Sequence, residues 1–541
     1  MPGAARDHSL VTAPAETGSA KQTDIAPGTP SGPFVAVLVG LIAALVGFVN
    51  AWHVSMWVDE AYTVSVATRS LGDVWRMVHN IDIVHSLYNT AMHPWLALAG
   101  VSDVTVRLPS AVGVGLAAAG VYCLGRRLFT GGRAAVIAAL VFAILPRTTW
   151  MAIEGRSYAI TAAVAVWSTV LLVALVRRPT VARGVGYALA VGIGTSLNIF
   201  LILLPGAHGL ALLWDRRTRF TRTFWLFVVA GSGGLLLGLP VLLTAMGQAA
   251  QIGAARWGPL GYVRNALVNQ WFLGDTPTIS VSGGKELTEA PGSQLWQYAA
   301  VMLAALCWLL VAWALWSARD RRGSPVPSAL PLLAAWVVVP TAVMIADAVL
   351  NTPVYNPRYL SFCTPAVALL VAAGLTNLSF WPRILASVLI VALLVPIYVS
   401  QRTAYAKSGA DWQSIAAFVS DRKGPDQAVY FAPRVEPIPD DAEAATTTAR
   451  IAAVLYPHAF AGIRDLTEVA SPAESADLLG RSRSLADSME GLADVRTVFV
   501  IRRNDYPDDE VARENRLLVD AGFKEVDGWT GPLDTVLRYT T

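Results

Sequence analysis

Apolar runs of about 18–22 residues, separated by short polar stretches, recur from residue 34 to about residue 400, and each is long enough to cross a hydrocarbon core as a helix. Such runs lie at 34–52, 107–128, 134–150, 157–176, 223–246, 295–316, 329–350, 359–378 and 382–400. Residues 184–214 sit between two basic clusters and must leave and return, which predicts two short helices turning near Asn198. The pattern predicts a mainly α, polytopic membrane protein of about 11 transmembrane helices.

Basic clusters give the sidedness, because cytoplasmic loops are enriched in Lys and Arg. They are Arg126-Arg127 with Arg133, Arg177-Arg178 with Arg183, Arg216-Arg217 with Arg219 and Arg222, Arg319 with Arg321-Arg322, and a weaker Arg383. The N-terminus is then cytoplasmic and the C-terminus outside. This bookkeeping also assigns residues 85–100, which could pass as a short span. Crossing there would move Arg126-Arg127 outside, and His85, Asn89 and His93 are costly in hydrocarbon. The segment therefore reads as an amphipathic helix at the outer face, within one long outer loop over 53–106. A second outer loop covers 247–294, with Trp257, Trp271, Asp275 and Gly283-Gly284.

The pattern changes beyond the last span. Residues 403–541 are polar and rich in Asp and Glu, and they alternate helical and strand periodicities. Helices are predicted at 411–422 and 510–521, and strands at 427–432, 497–502 and 535–539. This is a small extracytoplasmic α/β domain, long enough to bury its own core. Three parts follow: a disordered cytoplasmic tail at 1–33, a membrane module at 34–402, and the outer domain at 403–541.

Composition agrees with a membrane location: of 541 residues 54% are hydrophobic and only 15% charged. The net charge of +3 averages unlike regions and decides nothing. The acidic balance of the outer domain argues against a nucleic-acid partner. Cys123, Cys307 and Cys363 all lie in apolar segments without metal-ligand spacing, and read as core residues. The run at 34–52 lacks a basic start and a small-residue cleavage site, so it reads as a retained anchor.

Several chemically distinctive groups fall on the outer side by this topology: Asp59-Glu60, Asp82 with His85 and Tyr88, Glu154 with Arg156 and Tyr158, and Arg358-Tyr359. A short Asp cannot snorkel, so a carboxylate pair just past the first span suits a base or a cation ligand facing water or headgroups. Arginines at the same face match phosphate oxygens with their planar fork. Acids and arginines gathered at one membrane face suit transfer of a group carried on a lipid phosphate. Each group also has a plain structural reading. Arg358 could anchor a span at the interface, Glu154 and Arg156 could form a local salt bridge, and His85 could be an interfacial histidine paired with Asp82. Asp82 and His85 have the spacing of two metal ligands but no completing His/Cys set, so the metal reading stays unknown. A divalent cation held by Asp59 or Glu60 with lipid phosphate is compatible with the sequence. No P-loop or glycine-rich nucleotide fingerprint is present in the membrane part.

In order and sidedness these motifs resemble the GT-C glycosyltransferases. These polytopic enzymes take sugar from a polyprenyl-phosphate donor outside the cytoplasmic membrane. The likeness is to the branch with protein O-mannosyltransferases, aminoarabinose transferases and bacterial mannosyltransferase-like envelope proteins. It rests on Asp59-Glu60 after the first span, Asp82-x-x-His85-x-x-Tyr88, Arg107-Leu108-Pro109-Ser110, Glu154-x-Arg156-Ser157-Tyr158, Arg358-Tyr359-Leu360 and Asp411-Trp412. His85-Ser86 stands where His-Pro or His-Gly is usual, and Tyr88-Asn89 where two aromatics are common, which leaves the sugar open.

The resemblance implies an inverting transfer with Asp59 as catalytic base. Glu60 ranks second, orienting Asp59 or holding a cation or acceptor. Asp82, His85, Tyr88, Glu154, Arg156, Tyr158, Arg358 and Tyr359 are the implied substrate-binding residues, with Arg156 and Arg358 near the donor phosphate. It implies a plasma-membrane location, membrane lipids as surroundings, and a cell-envelope glycan, lipid or protein hydroxyl as acceptor. Mannose is the expected sugar because it is common in that branch. Two other classes compete. A lipid flippase or transporter would place charges near the midplane and show repeated, broken helices, neither of which the sequence has. A noncatalytic lipid-linked-sugar binding or assembly protein would need no base, and Asp59-Glu60 argues against it.

Overall fold

The computed structural model describes residues 31–541 except 130, 249–256, 276–280, 283–284, 287–294, 320–325, 352–353 and 436–447. Nearly all of the tail expected over 1–33 and about half of the second outer loop, with Gly283-Gly284, therefore lie outside the described residues.

The membrane part is built from helices α1 (Ser31–Phe48), α2 (Val58–Ala67), α3 (Leu71–Val78), α4 (Ser86–Ala99), α5 (Asp103–Leu128), α6 (Gly132–Ile144), α7 (Pro146–Met151), α8 (Tyr158–Arg177), α9 (Val181–Leu197), α10 (Leu203–Trp214), α11 (Arg222–Gly247), α12 (Pro259–Arg264), α13 (Leu295–Arg319), α14 (Val326–Leu350), α15 (Thr364–Asn377) and α16 (Phe380–Ser400). Among the described residues eight spans are long and apolar enough to cross a bilayer: α1, α5, α8, α11, α13, α14, the stretch Pro357–Asn377 that contains α15, and α16. Three shorter apolar helical stretches, α6, α9 and the one ending in α10, bring the bundle to the number that the apolar pattern predicts. The chain is a multi-pass membrane protein.

Without a hydrophobic drive between helices in lipid, small residues set how closely they approach. A Cβ on Gly40 of α1 would stand 2.9 Å from the Gly115 carbonyl oxygen of α5, and the reverse holds for Gly115. This tight crossing places the end of α1, and the loop after it, against the start of α5. Residues 53–106 fold there into the short helices α2, α3 and α4. The 14-residue α4, with Asn89 and His93, is not among those apolar stretches, and its His93 Nδ1 lies 2.9 Å from the Ala67 carbonyl of α2.

After α16 the chain turns through residues 401–411 into an α/β unit whose helices include Trp412–Ser420 and Asp508–Asp520. Its five-stranded sheet runs in the order Arg464–Asp465, Gln427–Ala432, Thr497–Arg503, Asp534–Thr540, Lys524–Thr530. The first two pairings are parallel and the last two antiparallel. Every residue of Gln427–Ala432 is buried, as expected of a central strand covered on both faces. The pattern of the sequence reaches the central strands and both flanking helices. It misses the edge strand Lys524–Thr530, whose half-exposed polar residues carry no apolar alternation.

Candidate active site

Asp59 and Glu60 occupy the first turn of α2, where the helix dipole favours carboxylates. Successive helix positions face different ways, and the two acids have different surroundings.

Asp59 stands at the mouth of the site, 14% exposed at its side chain. Its Oδ2 lies 2.8 Å from Arg358 Nη1, and its Oδ1 lies 3.8 Å from Arg156 Nη2. Arg156 Nη1 in turn lies 3.7 Å from Asp82 Oδ2, and Asp82 Oδ1 lies 3.9 Å from His85 Nε2. Asp82 reaches this position through a left-handed backbone (φ 62°), which Asp tolerates better than most side chains. Arg358 is held by a turn that Asn356 caps, its Oδ1 accepting from the Arg358 amide at 3.1 Å. The Arg358 guanidinium also sits 5.4 Å from the Trp57 ring centre and 5.8 Å from that of Tyr359. The structure thus gathers Asp59, Asp82, His85, Arg156 and Arg358 into one chain of charges.

Polar atoms in this chain are left over. Arg156 Nε and Nη1, Arg358 Nε, Asp82 Oδ2 and His85 Nδ1 are all buried without a hydrogen-bond partner. Buried donors are normally satisfied, so a cluster of free ones at a cleft marks a place built for a polar ligand. Beside them opens a cavity of about 60 Å³ lined by His85, Tyr158, Asn198, Phe200 and Tyr359, with Val84, Leu197 and Ile199 supplying apolar wall. Phe200 and Tyr359, both in its lining, stack on each other with ring centres 5.1 Å apart, and Asn198 Nδ2 donates to the Tyr359 carbonyl at 2.9 Å. Burial pushes the Asp82 carboxyl up to about 6 against the opposing pull of Arg156. Burial also drives His85 well below its ordinary value, aided by the positive charges of Arg156 and Arg358. His85 is neutral at neutral pH.

Glu60 lies one residue away in a closed, dry network. Arg107 grips it with both arms of its fork, Nε to Oε1 at 2.7 Å and Nη2 to Oε2 at 2.8 Å. The amides of Gly155 and Trp57 donate to it at 3.1 and 3.3 Å, and Lys407 Nζ stands 3.1 Å from Oε2. Burial raises the Glu60 carboxyl, but Arg107 and Lys407 outweigh it and hold the group down to about 2. Glu154 completes the network: its Oε2 is 3.0 Å from Lys407 Nζ and its Oε1 accepts from Trp57 Nε1 at 2.8 Å. Burial raises Glu154 to about 7. The glycine in Glu154-Gly155-Arg156 has a spatial cause, since a Cβ there would press to 2.5 Å from Val106. Tyr88 is buried in α4 beneath the site and does not line the cavity.

Among the described residues no three His, Cys, Asp or Glu side chains gather to hold a metal ion. Asp59 faces two arginines and both Glu60 oxygens are taken by N–H donors, so the donor set is a poor match for a hard cation. Sequence reasoning passed over Lys407 and Phe200, read Asn198 only as a turn, and used Trp57 and Arg107 only as parts of motifs. Lys407 gives one usable signal: it is among the few lysines of an arginine-rich chain and follows directly on the last span.

Residues 89–243 match the family model described as dolichyl-phosphate-mannose-protein mannosyltransferase. That stretch holds Arg107, Glu154 and Arg156 but not Asp59, Asp82 or Arg358. No curated protein gives a significant match to the sequence. Among solved structures, the chain is similar to ArnT from Cupriavidus metallidurans in the apo state, at 14% identity and TM-score 0.55, covering 93% of this chain and 97% of that one. It is also similar to the same protein bound to undecaprenyl phosphate, at 16% identity and TM-score 0.51, covering 94% and 98%. At such identities the likeness is one of fold. The chain thus shares the fold of ArnT, and over residues 89–243 it matches a mannosyltransferase family model, in agreement with the group that its motifs resemble in sequence.

Proposed function

We propose that this protein transfers a sugar from a polyprenyl-phosphate donor to a hydroxyl of a cell-envelope glycan, lipid or protein outside the plasma membrane, with inversion and with Asp59 as general base. The observation that carries the reading is the pairing of Asp59 with Arg358 and Arg156, whose guanidinium nitrogens are buried and partly unpartnered. A phosphate is the anion that such forks fit. That one structural neighbour binds undecaprenyl phosphate agrees with this choice of donor.

The chemistry follows from the groups present. The acceptor hydroxyl gives its proton to Asp59 as its oxygen attacks the anomeric carbon. The bond from that carbon to the phosphate oxygen breaks on the opposite face. Polyprenyl phosphate leaves, and Arg156 and Arg358 meet its charge. A phosphate is already a good leaving group, so one carboxylate suffices where glycoside hydrolysis needs an acid as well. Asp82 and neutral His85 line the donor end. Tyr158 and Tyr359 flank the cavity, and Tyr88 supports it from below. Glu60 orients α2 and does not touch substrate. Mannose is the proposed sugar. The N-terminus is proposed to be cytoplasmic and the domain at 403–541 outside, as the basic clusters imply.

The test is transfer by the purified chain from a panel of polyprenyl-phosphate sugars to a membrane-glycan extract, followed by mass spectrometry. Transfer by wild type and none by Asp59→Asn is the expected result. An Asp59→Asn protein that works at the wild-type rate would remove the base from the mechanism.

A further inference from the structure

The helix that carries Asp59 is gripped at both ends by residues from beyond the last span. At its start, Lys407 is fully buried and bridges two carboxylates, Glu60 Oε2 at 3.1 Å and Glu154 Oε2 at 3.0 Å. It also donates to the Ile153 carbonyl, and it lies 5.8 Å from the Trp57 ring centre. With Arg107 these groups form a closed buried set of two basic and two acidic side chains. A lysine leaves water at high cost, and a buried set of this kind holds only in one geometry. Ser408, directly after Lys407, takes a left-handed backbone (φ 53°) that its side chain does not favour, so the turn is held by its surroundings.

At the other end of α2, Ser65 Oγ donates to the Leu478 carbonyl at 2.6 Å, and Arg69 donates to the carbonyls of Asp477 and Leu478. The loop before α2 is tied in the same way. Tyr456 Oη accepts from the Met56 amide at 3.0 Å and donates to Asp103 Oδ1 at 2.8 Å, and the Ser55 amide donates to the Ala404 carbonyl at 2.9 Å. Three separate stretches of the C-terminal part, around residues 404–407, 456 and 477–478, thus fix one ten-residue helix. A freely tethered recognition module has no need of such contacts.

We propose that the C-terminal α/β domain acts as a clamp on α2 and that Lys407 is a positioning residue for Asp59. The proposal rests on Asp59 being the base. Lys407 touches no reacting atom; it fixes Glu60 and Glu154, and these fix the turn of α2 from which Asp59 projects. Displacing a base by 1 Å can cost about 100-fold in rate, so a clamp is worth building even where the base itself is intact.

The experiment uses the full-length protein in detergent and compares wild type with Lys407→Met and with the double variant Glu154→Gln/Lys407→Met. The double variant removes two direct partners together, so that neither is left buried without the other, and it is expected to stay folded. In it we expect kcat to fall about tenfold or more while KM for the donor stays within about twofold, because binding energy is kept and alignment is lost. Amide exchange over residues 58–67 should quicken while that of the central strand Gln427–Ala432 is unchanged. Wild-type kcat in the double variant, or faster exchange in the strand as well as in α2, would overturn the proposal and leave Lys407 a stabilising residue only. If wild type itself transfers no sugar, the functional reading fails separately, and the exchange data still decide whether the clamp exists.

Discussion

Arg358 holds Nη1 2.8 Å from Asp59 Oδ2, so the group that suits the donor phosphate is engaged by the carboxylate that suits the acceptor proton. On the proposed mechanism, an anionic phosphate at the unpartnered Nε of Arg358 would compete with Asp59 for the guanidinium charge and loosen this ion pair. Donor binding and readiness of the base would then be linked through one ion pair.

Arg358→Ala should therefore damage both steps. Without the guanidinium the leaving phosphate loses a preorganised partner, a change that typically costs about 100-fold or more. We expect kcat/KM for the donor to fall by that order, with Arg358→Lys recovering only part because an ammonium lacks the fork. Titration of the donor at fixed acceptor measures it. An unchanged kcat/KM in Arg358→Ala would place the phosphate elsewhere.

Asp82 predicts a pH effect. Its carboxyl, raised to about 6 chiefly by burial, is protonated below that value and ionised above it. Only the ionised form can hold Arg156, which lies 3.7 Å away. Transfer should rise as pH climbs through about 6, and Asp82→Asn, fixed in the neutral state, should lose that inflexion and work at neutral pH at the low level that wild type shows in acid. Initial rates across the acid range in both proteins check this. A profile with the same inflexion in both would clear Asp82 of the role.

Much of this site was legible because its chemistry lies in short motifs. Asp59-Glu60, Asp82 with His85, Glu154-Gly155-Arg156 and Arg358-Tyr359 can be read residue by residue, and sidedness from the arginine clusters groups them before any coordinates. The difference between Asp59 and Glu60 was not legible. Adjacent acids look alike in sequence, and only the packing of α5 beneath α2 shows that Arg107 claims Glu60 and leaves Asp59 open. Lys407 was hidden for the same reason: its partners are some 250 and 350 positions away and no local spacing announces them. The spans were legible from apolar length alone, whereas the edge strand Lys524–Thr530 was not, because half-exposed polar strands lack a period.

Arg107 and Glu60 give a stability prediction. The pair is fully buried and bidentate, so removing one member strands the other's charge, at about 3–5 kcal/mol. Arg107→Met should fail to accumulate as a monodisperse membrane protein, and Glu60→Gln/Arg107→Met should recover a good part of the yield. Thermal scans by size-exclusion chromatography in detergent read both. Equal yields from the single and double variants would show that the pair carries no net electrostatic demand.

The C-terminal α/β domain carries its own titration. Asp411 Oδ2 accepts from the Leu533 and Asp534 amides at 2.9 and 3.0 Å, and Asp534 Oδ2 accepts from Trp412 Nε1, so two carboxyls meet in one buried place. Burial, and then the charge of Asp411, push Asp534 up to about 8 from its ordinary 3.8. The folded domain thus keeps a proton that the unfolded chain gives up, and between about pH 4 and about pH 8 stability must fall as pH rises. Asp534→Asn removes the proton while keeping an oxygen for Trp412. The variant should melt higher than wild type above pH 8, by about 1 kcal/mol or more, or about 3 °C for a domain of this size. Below about pH 4, where wild type already holds the proton in both states, the two should melt together or the variant slightly lower. Melting followed by tryptophan fluorescence across this range decides it. An Asp534→Asn protein whose melting falls with pH as steeply as wild type would show that Asp534 is ionised in the fold, with Arg503, 3.7 Å from its Oδ1, as its counter-charge.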